Sequence, residues 1–446
     1  MKLTLAILLC KFIRFVGGLV GKGSSLPGQF ALKLCPDVLA RVKLPGRIIA
    51  VTGSNGKTST VEMIAAVLTA DGQRVVWNRE GSNQIEGVAT LILSHCDLRG
   101  RMDADVLLLE SDERYARYTF RYFKPTYFVI TNLYRDQLTR NGHPEWVYES
   151  LLPTVTPQST LVLNADDPLV SCFALEHEGQ SVVWFGLEEY SHSTDRPVGV
   201  YDDGQRCPIC KCKLQYLYYH YHHIGNYMCP HCGLHRCRPD YAGTRLDLEE
   251  GRLEINGSRS VELTFHSIYN VYNLLAAWSV CALCGADEDR MAATLSSYLL
   301  KNGRMVTFAL GGHRGTLLTS KHENSVAYDT NLDYVVRRGE DCEVMIIVDA
   351  ISRKYFTGET SWLWDIDFDL LAAEQVKRVW LCGRYGNDLA LRFDFTGVPP
   401  ERVHLCGSIP QAAAELKAEG TLPLYVLTCF SDRDKLLSLT DREGGN

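Results

Sequence analysis

The chain has 446 residues, of which 46% are hydrophobic and 22% are charged, and this composition predicts a globular protein of two or three domains. Its formal net charge of −7 argues against a nucleic-acid-binding role, because no excess of Lys and Arg offsets the repulsion of phosphates.

The first 20 residues predict an amphipathic helix that is too short and too interrupted by charge to span a bilayer. Its apolar side chains share one face: Leu5, Leu8, Leu9, Phe12 and Val16. Its basic side chains fall near another: Lys11, Arg14 and Lys22. Such a helix either lies on an anionic membrane surface or packs its apolar face on its own protein. We favour packing, since apolar stripes are more common in cores.

A glycine-rich run at residues 52–60 follows a predicted buried strand and leads into a helical pattern. Two glycines in the run would let backbone N–H groups approach an anion at the start of a helix. A lysine there can reach a terminal phosphate, and the next hydroxyl can hold Mg²⁺. The first glycine of the strict phosphate-loop pattern is replaced by Val51. The run still predicts ATP binding by Gly53, Ser54, Asn55, Gly56, Lys57, Thr58 and Ser59.

Apolar strand candidates alternate with helical patterns, which is the rhythm of a mostly parallel sheet covered on both faces. We predict strands at residues 48–52, 75–77, 106–110, 127–132, 160–164 and 182–185, and a helix at 270–283. A smaller α/β region follows, with strands at 344–348, 378–381 and 424–427 and helices near 369–376, 388–393 and 410–418. We therefore expect a helix and connector in residues 1–45, a central domain in 46–300 and a C-terminal domain in 301–446.

Polar side chains end three of these strands, in residues 110–113, 131–136 and 164–167. Ligands of open α/β sheets bind at the carboxyl ends of the strands. We therefore expect Glu110 to oppose Lys57 and to complete a Mg²⁺ shell beside Thr58. Surface acids that merely mark a strand end are the alternative interpretation.

Two C-x₂-C pairs separated by 18 residues lie in an insertion at residues 201–241. Two such thiolate turns form a tetrahedral Zn²⁺ site, and four protein ligands make that site structural rather than catalytic. The predicted ligands are Cys207, Cys210, Cys229 and Cys232, with Cys212, Cys237 and nearby histidines as possible substitutes. The 16 cysteines beside an ATP loop favour the reducing cytoplasm over a disulfide framework.

Together these features resemble the Mur ligase family, which joins an amino group to a carboxylate through an acyl phosphate. The matching segments are residues 52–58, Glu110, Asn132 with Asp136, 164–167, 269–273 and Gly303-Arg304. Residues 23–28, the Cys insertion and residues 360–368 more closely resemble the branch of the family that amidates lipid II.

The resemblance implies a Mur-ligase-like central ATPase domain with a parallel sheet, an inserted zinc ribbon and a smaller Rossmann-like α/β C-terminal domain. It implies that Lys57 acts on the transferred phosphoryl group, that Thr58 and Glu110 hold Mg²⁺, and that Asn270 and Arg304 contact the nucleotide. The candidates for the substrate side are Ser82, Asn83, Asp136 and Lys321.

The resemblance also implies a reaction and a partner. The α-carboxylate of D-glutamate in the lipid II stem peptide would be phosphorylated by ATP and then amidated by ammonia. The ammonia would come from a GatD-type glutaminase subunit bound as a heterodimer. Catalysis would take place in the cytoplasm, either away from the membrane or at its inner face. Glu359 stands where the branch typically has Asp, an acid thought to support the catalytic His of the glutaminase.

Two other functions remain open from the residues. No lysine occurs between Lys124 and Lys211, so the carbamylated lysine of amino-acid-adding Mur ligases is absent. This favours amidation over a stand-alone Mur- or folylpolyglutamate-like ligase. The second alternative is a zinc-ribbon ATPase that binds nucleic acid or protein without ligation.

Overall fold

The computed structural model describes residues 1–18, 24–79, 82–136, 141–197, 199–200, 203–299, 305–321, 323–351, 358–418 and 420–441. The chain divides into two compact units. The first contains Met1–Tyr134, Asn141–Val198 and Asp203–Leu300, and the second contains Arg135–Arg140, Gly199–Asp202 and Lys301–Asn446.

The helices of the first unit are α1 (Lys2–Gly18), α2 (Leu26–Leu34), α3 (Val38–Arg41), α4 (Lys57–Ala70), α5 (Ile85–His95), α6 (Ala116–Thr119), α7 (Pro144–Leu151), α8 (Pro168–Ser171), α9 (Ile268–Leu283) and α10 (Glu288–Ser296). Those of the second unit are α11 (Ser325–Arg337), α12 (Gly386–Phe393), α13 (Ile409–Ala418) and α14 (Phe430–Leu437).

The strands of the first unit are β1 (Arg47–Thr52), β2 (Val75–Trp77), β3 (Val106–Glu110), β4 (Tyr127–Ile130), β5 (Thr160–Asn164), β6 (Val182–Leu187), β7 (Gln215–Tyr221), β8 (Ile224–Met228), β9 (Tyr241–Asp247), β10 (Arg252–Ile255) and β11 (Arg259–Glu262). Those of the second unit are β12 (Met305–Leu310), β13 (His313–Ser320), β14 (Cys342–Ile347), β15 (Val376–Cys382), β16 (Val403–Leu405) and β17 (Leu424–Cys429).

The large sheet of the first unit has the order β11-β10-β9-β6-β5-β4-β1-β3-β2. Strands β1 to β6 pair in parallel, and β9 continues the parallel set before β10 and β11 turn back. β1 lies between β3 and β4. The chain therefore continues on one side of β1 through β3 and β2, and on the other side through β4, β5 and β6. An order that reverses in this way opens a crevice at the carboxyl end of the strand. The fold thus positions the loop that follows β1 as the candidate site.

The second unit has its own sheet, in the order β12-β13-β17-β14-β15-β16. All pairs are parallel except β12 with β13, and buried apolar clusters cover both faces. The predicted α/β class is confirmed in both sheets.

Helix α1 packs on the first unit, but with a different face from the one we predicted. Ala6, Ile7 and Cys10 are buried in the core with α2 and α5. The expected apolar face is largely exposed, and Phe12 and Phe15 are 66% and 73% accessible. Among the described residues, no helix has both the length and the apolar content that a bilayer crossing requires.

Several elements differ from the sequence predictions. The hairpin of β12 and β13 and the strands β9, β10 and β11 were not predicted, because exposed or half-buried positions interrupt their apolar residues. The helix predicted near 369–376 is wrong, since Phe368–Ala372 forms a 3₁₀ turn and β15 begins at Val376.

Candidate functional site

The loop between β1 and α4 is shaped by two glycines with left-handed backbones. Gly53 has φ 131° and Gly56 has φ 86°, a region that other residues rarely adopt. A Cβ on Gly53 would collide with the Thr131 hydroxyl, and one on Gly56 would collide with the Asn273 side chain. The loop therefore needs glycine at both positions to bring its backbone close to a ligand.

The end of β4 holds this loop in place. Asn55 N donates to Asn132 Oδ1 at 2.9 Å, and Asn132 Nδ2 donates to Asn55 O at 3.2 Å. Thr131 Oγ1 donates to the same carbonyl at 2.7 Å. Ser54 Oγ donates to Tyr134 O at 2.9 Å, within the same buried cluster. These bonds preorganise the backbone amides that precede α4, where the helix dipole favours an anion.

Lys57 is the first residue of α4, and its side chain is only 8% exposed. Its Nζ donates to Gly53 O at 2.5 Å and forms an ion pair with Glu113 Oε2 at 2.9 Å. We expected Glu110 to oppose Lys57, whereas this ion pair is made by Glu113. Asn141 Nδ2 donates to the other Glu113 oxygen at 3.1 Å, which fixes the carboxylate.

Thr58 and Glu110 lie together at the carboxyl ends of β1 and β3. Thr58 Oγ1 donates to Glu110 Oε2 at 2.9 Å, and Asn83 Nδ2 donates to Glu110 Oε1 at 3.1 Å. Asn78 clamps the backbone of Glu110 through both of its amide atoms, at 3.0 and 2.8 Å. A hydroxyl beside a carboxylate is an oxygen donor set of the kind that Mg²⁺ prefers.

Asn270 reaches this loop through a neighbour on α9. Its Oδ1 accepts from Asn273 Nδ2 at 3.0 Å, and Asn273 is the side chain packed on Gly56. The structure therefore places Asn270 beside the phosphate-loop turn, one residue away from direct contact.

The other predicted site residues are more scattered. Ser82 Oγ accepts from Ser25 Oγ at 3.2 Å, in the same unit as the loop. In the second unit, Asp136 Oδ1 accepts from Asn324 Nδ2 at 2.9 Å and Lys321 is half-buried. Three residues used in the sequence argument lie outside the described ranges: Lys22, Gly303 and Arg304.

Glu359 is exposed in the second unit, just before a 3₁₀ turn at Ser361–Asp365. Ser361 N donates to its Oε1 at 2.7 Å, and this backbone N–H lowers the pKa of Glu359 below its ordinary value. The carboxylate is therefore charged at neutral pH and accessible to a partner.

Among the described residues, the acidic residues that follow β5, Asp166 and Asp167, stabilise the fold and do not contact the phosphate loop. Asp167 accepts from the backbone of Leu133 at 2.8 Å and caps α8. Asp166 is completely buried, pairs with Arg236 at 2.5 Å and accepts from the Tyr272 hydroxyl at 2.6 Å. These contacts attach the end of the cysteine-rich insertion to the large sheet.

The four predicted metal ligands converge. The Sγ atoms of Cys207, Cys210, Cys229 and Cys232 all lie within 4.8 Å of one another. Two of the separations are 3.4 Å, between Cys207 and Cys232 and between Cys210 and Cys229. Such a cluster of thiols fits one tetrahedral metal ion. A second grouping shares Cys210 and adds Cys212 and His231, so substitution of one ligand is geometrically open.

Backbone geometry activates one of these thiols. The N–H of Cys232 points at Cys229 Sγ, and with the N–H of His231 it lowers the pKa of Cys229 to about 6. A thiol that ionises near neutral pH is prepared to bind a metal.

Glu113, Asn78 and Asn141 were missed by the sequence argument. Glu113 belonged to the acidic run after β3, but nothing in the run showed which carboxylate faces the lysine. The two asparagines carried no motif.

The fold and this loop define the class of protein. The chain superposes on the pseudomurein peptide ligase type C of Methanothermus fervidus with a TM-score of 0.70 and 19% identity, over 91% of this chain and 80% of that one. The family model of the Mur ligase middle domain matches residues 51–229, and that of the MurT ligase C-terminal matches residues 322–432. The chain therefore contains a Mur ligase middle domain at residues 51–229 and a MurT-type ligase C-terminal domain at residues 322–432.

Among Mur ligases, the chain is similar over most of its length to two curated relatives that share one name. The chain is 28% identical to the lipid II isoglutaminyl synthase (glutamine-hydrolyzing) subunit MurT of Streptococcus pneumoniae, over 97% of this chain and 95% of the relative. It is 29% identical to the subunit of the same name from Staphylococcus aureus (strain N315), over 88% of each chain. The similarity thus covers both units.

Proposed function

We propose that this protein is the synthetase subunit of a glutamine-hydrolysing complex that amidates lipid II. The observation that carries this proposal is the extent of similarity to relatives with that activity, which spans 97% and 88% of the chain. A likeness limited to the ATP-binding part would support only the general ligase class.

The first step activates a carboxylate, which is otherwise a poor electrophile. An oxygen of the D-glutamate α-carboxylate attacks the γ-phosphorus of ATP, the bond to the leaving ADP breaks, and an acyl phosphate forms. The backbone amides of residues 53–57 and the ammonium of Lys57 bind the phosphates and stabilise the charge that develops on them. Ser59, Asn270 and Arg304 complete the proposed nucleotide contacts.

Thr58 and Glu110 fit the role of Mg²⁺ ligands, because their oxygens already lie 2.9 Å apart at the loop. The ion would neutralise phosphate charge when bound. Asn83 orients the Glu110 carboxylate, and Asn78 fixes the backbone beneath it. Ser82, Asp136 and Lys321 remain candidates for contact with the substrate.

The second step uses ammonia. Its nitrogen attacks the acyl carbon, the bond to phosphate breaks, and one proton is lost to give D-isoglutamine, the α-amide of D-glutamate. We propose that a GatD-type glutaminase subunit supplies the ammonia in a heterodimer. Glu359 supports this proposal, since an exposed and charged carboxylate can accept from a partner imidazole.

The cysteine ribbon is proposed to hold a structural Zn²⁺ through Cys207, Cys210, Cys229 and Cys232. Four thiol ligands within 4.8 Å fill a tetrahedral shell, so no position is left for a substrate.

We further propose that the protein works in the cytoplasm at the surface of the membrane that carries its lipid substrate. The exposed face of α1 supports this placement. Phe12, Phe15 and Val16 are exposed there, and Lys11 and Arg14 lie on the same helix. A face of this composition suits an anionic lipid surface.

The experiment that tests the function is an amidation assay with lipid II, ATP, Mg²⁺, glutamine and the glutaminase subunit. Lys57→Ala should reduce turnover by about 10³-fold, because the transferred phosphoryl group loses a charge partner in a water-excluded site. The matched control is Lys124→Ala, an exposed lysine of the same unit, which should retain full activity.

Addition of a free amino acid without the glutaminase would contradict the proposal and support the stand-alone ligase. Salt-sensitive nucleic-acid binding without carboxylate-dependent phosphate release would support the zinc-ribbon ATPase.

A further inference from the structure

A cavity of about 320 Å³ lies in the first unit beside the edge strand β2. Its walls are β2 with the two residues that follow it, one face of α5, and Arg14 of α1. β2 ends the large sheet, so its outer backbone groups have no strand partner among the described elements. The cavity has room for a group much larger than a water molecule.

The lining of this cavity is cationic. Arg14 and Arg79 supply its positive charge, and no Asp or Glu lines it within the part of the chain that is described. A second cavity of about 330 Å³ adjoins it, shares Arg14 and His95, and adds Lys11. Arg79 lies over the Trp77 ring at 5.3 Å from the centroid, which orients its guanidinium. Arginine forks of this kind suit phosphate oxygens.

The cavity shares a wall with the proposed Mg²⁺ site. Asn78 lines the cavity, and its side chain bonds both backbone groups of Glu110. Ser82 also lines it and directly precedes Asn83, which holds the Glu110 carboxylate. A ligand in the cavity can therefore extend toward the site where the carboxylate is activated.

The other end of the cavity meets an apolar surface. Phe15 lines the second cavity and is 73% exposed, and Phe12, one turn earlier, is 66% exposed. Both stand on α1 beside Arg14. A positively charged pocket that opens onto exposed aromatic residues matches a molecule with a phosphate group joined to a hydrocarbon chain.

We propose that this cavity binds the diphosphate of the lipid-linked substrate, with the polyprenyl chain along the exposed face of α1. The inference rests on the proposed function for the identity of the acceptor. Arg14 and Arg79 are the specificity-determining residues, since they are the arginines that line the cavity.

The test measures binding of farnesyl diphosphate and of inorganic diphosphate to the full chain by titration calorimetry. We expect farnesyl diphosphate to bind more tightly than inorganic diphosphate. Arg14→Gln and Arg79→Gln should each weaken binding about tenfold, the usual effect of losing a hydrogen bond to a charged group. Arg252→Gln removes an exposed arginine in β10, near the opposite edge of the same sheet, and should bind like the wild type.

Steady-state amidation provides an independent readout. With lipid II, Arg14→Gln and Arg79→Gln should raise the KM for the acceptor about tenfold and leave kcat within about twofold, because the cavity binds a part of the substrate that does not react. With an acceptor muropeptide that lacks the diphosphate, the difference between wild type and variants should disappear.

The two proposals fail in different ways. Active amidation together with unchanged KM and unchanged diphosphate binding in both variants would overturn the cavity assignment alone. Equal affinity for inorganic and farnesyl diphosphate would also overturn the assignment, because the cavity would then be a site for free phosphate groups rather than for a lipid-linked diphosphate. Arginine-dependent binding of farnesyl diphosphate without any amidation would support the cavity and refute the proposed function.

Discussion

The side chain of Lys57 is held by the protein itself. It donates to the loop carbonyl of Gly53 and pairs with Glu113, and both partners of the pair are less than a tenth exposed. A buried charge of this kind must be balanced, because leaving one partner alone costs several kcal/mol. Glu113 therefore supplies the balancing charge in the nucleotide-free protein, and a bound triphosphate would offer a second source.

Glu113→Gln tests this balance. The amide keeps the size of the side chain but removes the charge opposite Lys57, so the nucleotide-free protein should lose about 3 kcal/mol of unfolding free energy. ATP with Mg²⁺ should restore much of that loss, since the phosphates can replace the missing charge. Thermal unfolding with and without nucleotide measures both effects, and the shift of Tm on adding ATP should be larger in the variant.

Glu149→Gln is the matched control for this prediction. Glu149 is exposed on α7 and should change stability by less than about 0.5 kcal/mol. If Glu113→Gln were as stable as the wild type without nucleotide, the balancing role would be wrong.

Site residues that belong to a sequence motif could be predicted, whereas residues whose contacts depend on the folded structure could not. The glycine spacing and the buried strands indicated Lys57, Thr58 and Glu110, and the structure brings Thr58 and Glu110 within 2.9 Å. Glu113 could not be assigned, because the turn after β3 decides which carboxylate points at the lysine. Arg236 was missed for a related reason: its partner Asp166 lies 70 residues away in sequence.

At the scale of elements, the cysteine-rich insertion at residues 201–241 is a small lobe with few buried apolar residues of its own. The buried residues of its own cluster are Cys207, Leu214, Tyr227 and Cys229. A domain of this size needs a metal or disulfides to remain folded. The proposed metal site should therefore contribute to stability as well as to local shape.

Cys229→Ser removes one proposed ligand and should abolish stoichiometric zinc in the purified protein. We expect Tm to fall by several degrees, because metal binding free energy is coupled to folding of the lobe. Elemental analysis and calorimetry measure the two effects. Cys237→Ser is the control, a half-buried cysteine outside the four-thiol cluster, and it should keep its metal. Full zinc content in Cys229→Ser would remove this thiol from the site.

Helix α1 shows why a helical stripe does not by itself identify the buried face. The stripe with Phe12 was expected to pack inward, yet the core takes Ala6, Ile7 and Cys10. Small side chains allow α2 and α5 to approach closely, and these helices come from other parts of the chain. The helix therefore packs on its own unit as expected, but through a different face, and its larger apolar residues are left exposed.

Replacing both Phe12 and Phe15 with Ser tests the exposed face. Each phenylalanine contributes about 1.5–3 kcal/mol when it leaves water, so binding to anionic lipid vesicles should weaken at least tenfold. Vesicle co-sedimentation measures the loss, and the protein should stay folded because both side chains are exposed. Phe395→Ser, at an equally exposed position of the second unit, should bind vesicles like the wild type. Unchanged vesicle binding in the double variant would contradict the membrane contact.

At the scale of the whole molecule, the parallel sheets could be predicted because their strands are continuous apolar runs. β1, β3, β14 and β17 were found within two residues of their observed ends. The antiparallel additions could not be predicted from the same signal. β12 and β13 are joined by a two-residue turn, and exposed residues interrupt the buried ones along these strands. The other edge of β13 pairs with β17, which lies far away in the sequence, so the place of the hairpin in the sheet depends on that distant strand.

The proposed activity requires a second subunit, and Glu359 is the residue that we propose offers it a charge. The backbone N–H of Ser361 lowers its pKa, so the carboxylate stays ionised throughout the neutral range. Glu359→Gln keeps the shape but offers only a neutral acceptor to an imidazole of the glutaminase. We expect glutamine-dependent amidation to fall about tenfold or more while ATP binding is unchanged, since Glu359 is placed at the proposed interface and not at the phosphate loop.

Two further variants decide whether charge is the cause. Glu359→Asp retains the carboxylate and should restore most of the coupled rate, whereas Glu401→Gln neutralises another exposed acid of the second unit and should have no effect. Supplying ammonium directly should rescue Glu359→Gln, because the synthetase then no longer depends on glutamine hydrolysis. A coupled rate in Glu359→Gln equal to the wild type would dismiss the contact, and a defect that ammonium fails to rescue would place the residue in amide formation itself.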